Sequence, residues 1–78
     1  MATFVIETYL SRARVADLDA AIARLRAAAL PPARHVRSFF VPEDETCFHV
    51  VEGPSLDVVR AVTDRAGLRA ERIVRATP

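Results

Sequence analysis

Residues 34–52 read RHVRSFFVPEDETCFHVVE, two runs of β-branched and aromatic residues on either side of a short acidic turn. Such runs, joined by a polar turn that begins with proline, predict two neighbouring strands that form a hairpin. We place the strands at residues 34–41 and 46–52, with the turn at residues 42–45. This hairpin lies in the middle of the chain, so the elements on either side of it decide the fold.

One helix and one strand lie on each side of the hairpin. Residues 3–10 alternate apolar and polar side chains and predict a first strand, and residues 69–76 predict a shorter last strand. Residues 15–29 and residues 55–66 have apolar residues at helical spacing and therefore predict two helices. The elements thus follow one another as strand, helix, strand, strand, helix, strand.

This order is the split βαβ pattern of ferredoxin-like domains. Because crossover connections are right-handed, few topologies remain. We predict a single α+β, ferredoxin-like βαββαβ domain over residues 1–78, with antiparallel sheet order 4-1-3-2 and two helices on one face. Pro31 and Pro32 end the first helix. Ser55 is a suitable N-cap for the second helix, and Gly67 a suitable C′ residue.

The composition limits what can stabilise a chain of 78 residues. A domain of this size buries only about 60% of the surface of its unfolded chain, and small domains usually gain stability from disulfides, a metal or a partner chain. The single cysteine, Cys47, excludes an internal disulfide. A metal or oligomerisation therefore remains as the expected supplement.

Charge and hydropathy limit the partners and the location. The formal net charge is +1, and basic and acidic residues are interspersed, so we expect no nucleic acid and no membrane partner. Residues 1–10 have no basic segment of the kind that opens a secretory signal, and no apolar run approaches the about 20 residues of a membrane span. A single cysteine is typical of a reducing compartment, so we predict a cytoplasmic protein.

The face of the sheet without helices is the candidate functional surface. Packing the more apolar residue set of each strand against the helices leaves these residues on the open face: Glu7, Tyr9, His35, Arg37, Phe39, Cys47 and His49. A slip of one residue inverts a strand, so the grouping depends on the register. A half-apolar sheet face usually marks an interface, and we therefore expect a homodimer that encloses a shared cavity.

Four residues of this face are candidate metal ligands: His35, His49, Glu7 and Cys47. Imidazole suits zinc, copper, iron and nickel, and Cys47 and His49 are two residues apart, so their side chains point the same way from one strand. Other interpretations remain open. Two histidines without a spacing motif are also typical of hydrogen-bonded strand residues, and a lone cysteine is often a small buried hydrophobe.

The same face allows two functions without a metal. Glu7, Tyr9 and His49 are candidate catalytic residues for general acid–base chemistry, as in an isomerase or cyclase of bacterial secondary metabolism. Arg37 and Phe39 are candidate ligand-binding residues. The sequence contains no glycine-rich phosphate loop, no HExxH, no CxxC and no nucleophile elbow. A binding module without catalysis is therefore an equally open alternative.

Three stretches resemble a known family: RSFFVPEDETCF at residues 37–48, EGPS at residues 52–55 and RAGLRAERIV at residues 65–74. They are similar to the small bacterial ferredoxin-like domains known as nickel-binding-protein-like, a domain family of unknown function. The resemblance implies a homodimer, with nickel bound by some members.

Nickel-binding members of that family have a His-rich run in the first strand, where this chain reads Glu7-Thr8-Tyr9. The donors that remain are the four candidate ligands named above. We therefore expect a homodimer that binds a divalent transition metal such as nickel, or a small ligand, on the open sheet face.

Overall fold

Four antiparallel strands form the sheet of the molecule. The structure, a computed structural model, describes residues 1–77, and Pro78, the last residue of the predicted domain, lies outside the described residues. The strands are β1 Ala2–Tyr9, β2 Arg34–Val41, β3 Thr46–Gly53 and β4 Ala70–Ala76. Their order across the sheet is β2-β3-β1-β4. This is the predicted order 4-1-3-2, and the predicted α+β, ferredoxin-like fold is confirmed.

Two helices, α1 Leu18–Ala28 and α2 Leu56–Arg65, pack on one face of this sheet. The predicted caps of α2 are confirmed: the Val58 amide donates to the Ser55 hydroxyl over 3.3 Å, and Gly67 has a φ of 69°. No helix within residues 1–77 is long and apolar enough to cross a membrane.

The first helix begins later than predicted. A 3₁₀ helix covers Arg12–Asp17, and α1 follows it directly. The Ser11 hydroxyl accepts a hydrogen bond from the Ala13 amide and so fixes the start of the 3₁₀ helix. Because a 3₁₀ helix has three residues per turn, Val15 lies off the apolar stripe of α1 and is 48% exposed.

The core lies between the helices and the sheet. Five of its apolar members are fully buried: Ile6, Leu25, Val51, Val59 and Val62. Burying each of these side chains contributes about 1.5–3 kcal/mol. The second helix packs on β1, β3 and β4, whereas α1 packs on α2 and β2.

The third strand faces the opposite way from the sequence-based prediction. In β3, His49 lies opposite Ile6 of β1 and Val51 lies opposite Phe4, and cross-strand partners share one face of a sheet. Cys47, His49 and Val51 are therefore buried beneath the helices. The prediction that Cys47 and His49 lie on the open face is wrong, because the pairing register, not the apolarity of each residue set, decides which face they take.

His35 also lies on the helix side of the sheet. It is paired with Val51, whereas Arg37 is paired with Val50, so Val36 is an extra residue in β2. An extra residue reverses the alternation of side chains beyond it. The prediction that His35 lies on the open face is therefore wrong, while Arg37 lies on that face.

The open face has an apolar centre. Val5 of β1 lies between Val50 and Val74, which belong to the strands on either side. Next to this row, the rings of Phe39 and Phe48 stack with their centroids 5.2 Å apart. Phe39 is 47% exposed, so apolar area of this face remains in contact with solvent.

Candidate functional site

A chain of hydrogen-bonding side chains runs beneath the helices across three strands. His35 Nε2 lies 2.8 Å from Ser38 Oγ, and Ser38 Oγ lies 2.6 Å from His49 Nδ1. On the other side of the imidazole ring of His49, Nε2 lies 3.4 Å from Thr8 Oγ1. We call these four residues the polar chain.

The register explains why these residues meet. Ser38 and His49 are cross-strand partners of β2 and β3, and Thr8 is the partner of Cys47, two residues from His49. The extra residue in β2 turns His35 to the same side. Buried polar groups need hydrogen-bond partners, and every buried side-chain nitrogen and oxygen in the described part of the chain has one.

A cavity of about 430 Å³ lies above one end of the polar chain. Thr8, Cys47 and His49 form its sheet side, and it extends to the start of α1 and to the loop before β4. We call it the His49 pocket. Since Nδ1 of His49 bonds to Ser38 on β2, Nε2 is the ring nitrogen on the β1 side, where the pocket lies.

The rim of the His49 pocket is rich in arginine. Arg14, Arg24 and Arg69 line it, against a single acidic residue, Asp17. Arg14 is paired with Asp17 over 2.8 Å. The Nε of Arg24 donates to the Ala66 carbonyl over 3.0 Å, which anchors that side chain at the rim. Arg69 forms no ion pair within residues 1–77. Two guanidinium groups thus remain to give the rim a positive charge.

Burial keeps the side chains of His35, His49 and Cys47 uncharged at neutral pH. Burial, and secondly the neighbouring His35, lower the pKa of His49 to about 4. Burial, and secondly Arg26, lower the pKa of His35. Burial raises the pKa of the Cys47 thiol, although a hydrogen bond with Thr8 opposes the rise. At neutral pH both imidazoles are therefore neutral and the thiol keeps its proton, so Cys47 is not an activated thiolate.

The predicted metal cluster is divided between the two faces. His35, His49 and Cys47 lie beneath the helices, whereas Glu7 lies on the open face, where Arg72 Nε donates to its carboxylate over 2.7 Å. Across residues 1–77 no three His, Cys, Asp or Glu residues come together as a metal site. The expectation that the four residues share one surface is wrong, for the reason of register given above.

The predicted catalytic residues are also separated. Glu7 and His49 lie on opposite faces of the sheet, so one substrate cannot contact both side chains. Tyr9 is 60% exposed at the end of β1 and borders the His49 pocket. Arg37 and Phe39, the predicted ligand-binding residues, lie together on the open face.

Sequence reasoning missed residues of two kinds. Ser38 and Thr8 lie in the inward residue sets of their strands, and a polar residue there was a signal that a buried partner exists. The rim arginines gave no such signal, because Arg14, Arg24 and Arg69 come from distant segments that only the fold brings together.

The fold and the site define a small ferredoxin-like domain with a pocket between its helices and its sheet. The family model described as nickel responsive protein SCO4226-like matches residues 4–75, and the chain belongs to this family. The crystal structure of SCO4226 from Streptomyces coelicolor A3(2) is similar, with a TM-score of 0.67 and 21% identity over 99% of this chain and 98% of that chain. At this identity the likeness shows the fold. No curated protein matches the chain.

Protonation of His49 should destabilise the fold as the pH falls. Its pKa is about 4 in the folded protein and about 6.5 in the unfolded chain, so the unfolded state binds the extra proton between these values. The stability from this residue is complete above pH about 7.5 and decreases by about 2 kcal/mol between that pH and pH about 5. Urea unfolding across this range should show a smaller loss in His49→Gln. His35 is present in both proteins and contributes to both pH profiles. An equal loss of stability in the natural protein and in His49→Gln would therefore contradict the assignment of the difference to His49.

Proposed function

We propose that the protein binds a small organic anion, such as a carboxylate, in the His49 pocket. The observation that supports this best is the neutral imidazole of His49 on the floor of a cavity whose rim carries Arg24 and Arg69. The volume of about 430 Å³ is within the range of about 300–1,000 Å³ that is usual for small-molecule sites.

The charges of the rim favour an anion over a cation. Arg24 is held by its Nε bond to Ala66, which restricts the movement of its guanidinium group. A guanidinium presents paired N–H donors that match the two oxygens of a carboxylate. Because Arg14 is already paired with Asp17, we assign charge recognition to Arg24 and Arg69.

The floor of the pocket has a different role. A neutral imidazole forms directional hydrogen bonds without adding charge. His49 is 1% exposed, so a group that reaches it leaves water. We therefore expect the ligand to combine an anionic group at the rim with a hydrogen-bonding group near His49 and Thr8.

We propose that a second copy of this chain covers the open face. Four strands about 4.8 Å apart and about eight residues long give a footprint of about 19 by 26 Å, or about 500 Å² per protomer. Two copies then bury about 1,000 Å², which is the area that a biological interface is expected to reach. The apolar centre formed by Val5, Val50 and Val74, with Phe39 beside it, supplies the matching surface.

Such a dimer leaves the His49 pocket accessible. The pocket lies on the helix side of the sheet, away from the open face, so each protomer has its own site. The expected cavity shared by two protomers is replaced in this proposal by one pocket in each.

Cys47 is buried and free, in keeping with the predicted cytoplasmic location.

Nickel binding is the second candidate function, favoured by the description of the family. Neutral imidazoles are nickel ligands, and His35 Nε2 and His49 Nδ1 meet at one Ser38 oxygen. Two nitrogens do not complete a nickel centre, and within residues 1–77 no further His, Cys, Asp or Glu joins them. Because the proposed dimer covers the other face of the sheet, waters would have to complete the coordination.

Loss of Arg69 should weaken anion binding. We expect malonate, used as the probe, to bind about tenfold more weakly to Arg69→Gln, because one charge-assisted hydrogen bond contributes about 1.5 kcal/mol. Isothermal titration calorimetry measures the affinities. Arg75→Gln is the matched control, since it removes the same charge from an exposed strand position outside the described pockets. Equal weakening in both variants, or no binding of malonate or phosphate to the natural protein, would refute the proposal.

A charge at Phe39 should separate the dimer. Burying one phenylalanine contributes about 2 kcal/mol, and the two-fold axis doubles the loss, so Phe39→Asp should raise the dimer Kd roughly a thousandfold. Sedimentation velocity measures the state. Val15→Asp is the control, because Val15 has nearly the same exposure but lies in the 3₁₀ helix. A dimer that persists in Phe39→Asp would exclude the open face as the interface.

Removal of both imidazoles should abolish nickel uptake. Equilibrium dialysis of the natural protein should give stoichiometric nickel, and the double variant His35→Ala/His49→Ala should give none. Glu7→Gln is the control, because Glu7 lies on the other face. Substoichiometric uptake by the natural protein, or uptake unchanged in the double variant, would end this second candidate.

A further inference from the structure

We propose, on the basis of the function proposed above, that the Ser38 hydroxyl couples the tautomers of His35 and His49. The hydrogen-bonding role of His49 Nε2 in the His49 pocket is then fixed together with the role of His35 at the other end of the polar chain. Ser38 and His35 are positioning residues in this proposal, because they act on the ligand only through His49.

The coupling follows from the single proton of a hydroxyl group. Ser38 Oγ lies within hydrogen-bond distance of His35 Nε2 and of His49 Nδ1. If neither nitrogen carries a proton, the hydroxyl can donate to only one of them and the other is unpaired. If both nitrogens carry protons, both donate to Ser38 and its own proton has no acceptor within the described chain. His35 and Ser38 are half-buried and His49 is buried, and an unpaired polar group away from water costs about 1–3 kcal/mol.

Two arrangements remain in which each hydrogen bond of the polar chain has one donor and one acceptor. In the first, His35 Nε2–H donates to Ser38, Ser38 donates to His49 Nδ1, and His49 Nε2–H points to Thr8. In the second, all three donations are reversed. Both histidines therefore carry the proton on Nε2, or both carry it on Nδ1. Burial keeps both rings neutral at neutral pH, so the tautomer is the property that differs.

The polar chain joins two cavities of the domain. His49 and Thr8 line the His49 pocket, whereas His35 lines a second cavity near the end of α1, together with Arg26 and Arg34. A change in the hydrogen bonding of His35 in the second cavity therefore reverses the donor or acceptor role of His49 Nε2 in the first. No movement of the backbone is needed.

This coupling refines the chemistry of the ligand. An anion that reaches His49 accepts a hydrogen bond, so it selects the first arrangement, in which Nε2 carries a proton. The same ligand then places the proton of His35 on Nε2, although it does not contact His35. A ligand group that donates to His49 would select the second arrangement.

Nitrogen-15 NMR of the imidazole rings tests the coupling directly, because a protonated and an unprotonated ring nitrogen have well-separated shifts. In the natural protein at neutral pH, we expect His35 and His49 to have the same tautomer. With saturating malonate both should carry the proton on Nε2. Opposite tautomers in the natural protein would overturn the proposal, and this measurement needs no variant.

Variants at Ser38 test whether its hydroxyl group is needed for the coupling. In Ser38→Ala, addition of malonate should change the nitrogen-15 shifts of His49 without the matching change in those of His35. Ser38→Thr restores a hydroxyl group and should therefore recover the coupling. Thr63→Val is the control, since it removes a buried hydroxyl that donates within α2, outside the polar chain and the His49 pocket, and should leave the coupling intact. Coupling that persists in Ser38→Ala would also overturn the proposal.

The two proposals fail in distinguishable ways. If malonate binds and shifts the ring nitrogens of His49 towards the Nε2–H form while those of His35 remain in the opposite tautomer, the coupling is wrong and the function stands. If no anion binds but both rings have the same tautomer, and only Ser38→Ala abolishes this match, the coupling stands and the function is wrong.

Discussion

The pairing of β1 with β3 is the constraint on which the rest of this structure depends. It sets Phe4 and Ile6 opposite Val51 and His49, and cross-strand partners must share a face. The two central strands therefore direct both the apolar core and the imidazole of His49 towards the helices. The core, the polar chain and the His49 pocket all lie on that side, and the opposite face keeps Glu7, Arg37 and Phe39.

The polar chain is an unusual use of space in a domain with so little interior. A polar side chain without a partner in an apolar environment costs about 1–3 kcal/mol, whereas a paired one is nearly neutral. The structure meets this requirement through Ser38 and Thr8, which engage both ring nitrogens of His49. An aliphatic residue at position 49 would form a simpler core. The arrangement is therefore best understood as a site held in place by the fold, in which exact hydrogen-bond partners fix the ring.

The two proposed tasks of the protein use opposite faces of the sheet. Apolar side chains on the open face favour association, since removing such area from water is the main driving force for dimers. Arginines around the His49 pocket favour an anion. Because these surfaces do not overlap, ligand binding in the His49 pocket and association of two copies are independent in this proposal.

The sequence by itself determined the element order, the hairpin at residues 34–52 and the caps of α2, because these depend on local periodicity and on the conformational preferences of serine, proline and glycine. The ferredoxin-like topology followed from the handedness of crossovers. Only the tertiary structure decided which side His35, Cys47 and His49 take. One extra residue in β2 and the register of β3 set that side, and both are properties of pairing between strands. The His49 pocket is built from segments that are distant in the chain. Local sequence patterns therefore could not predict it.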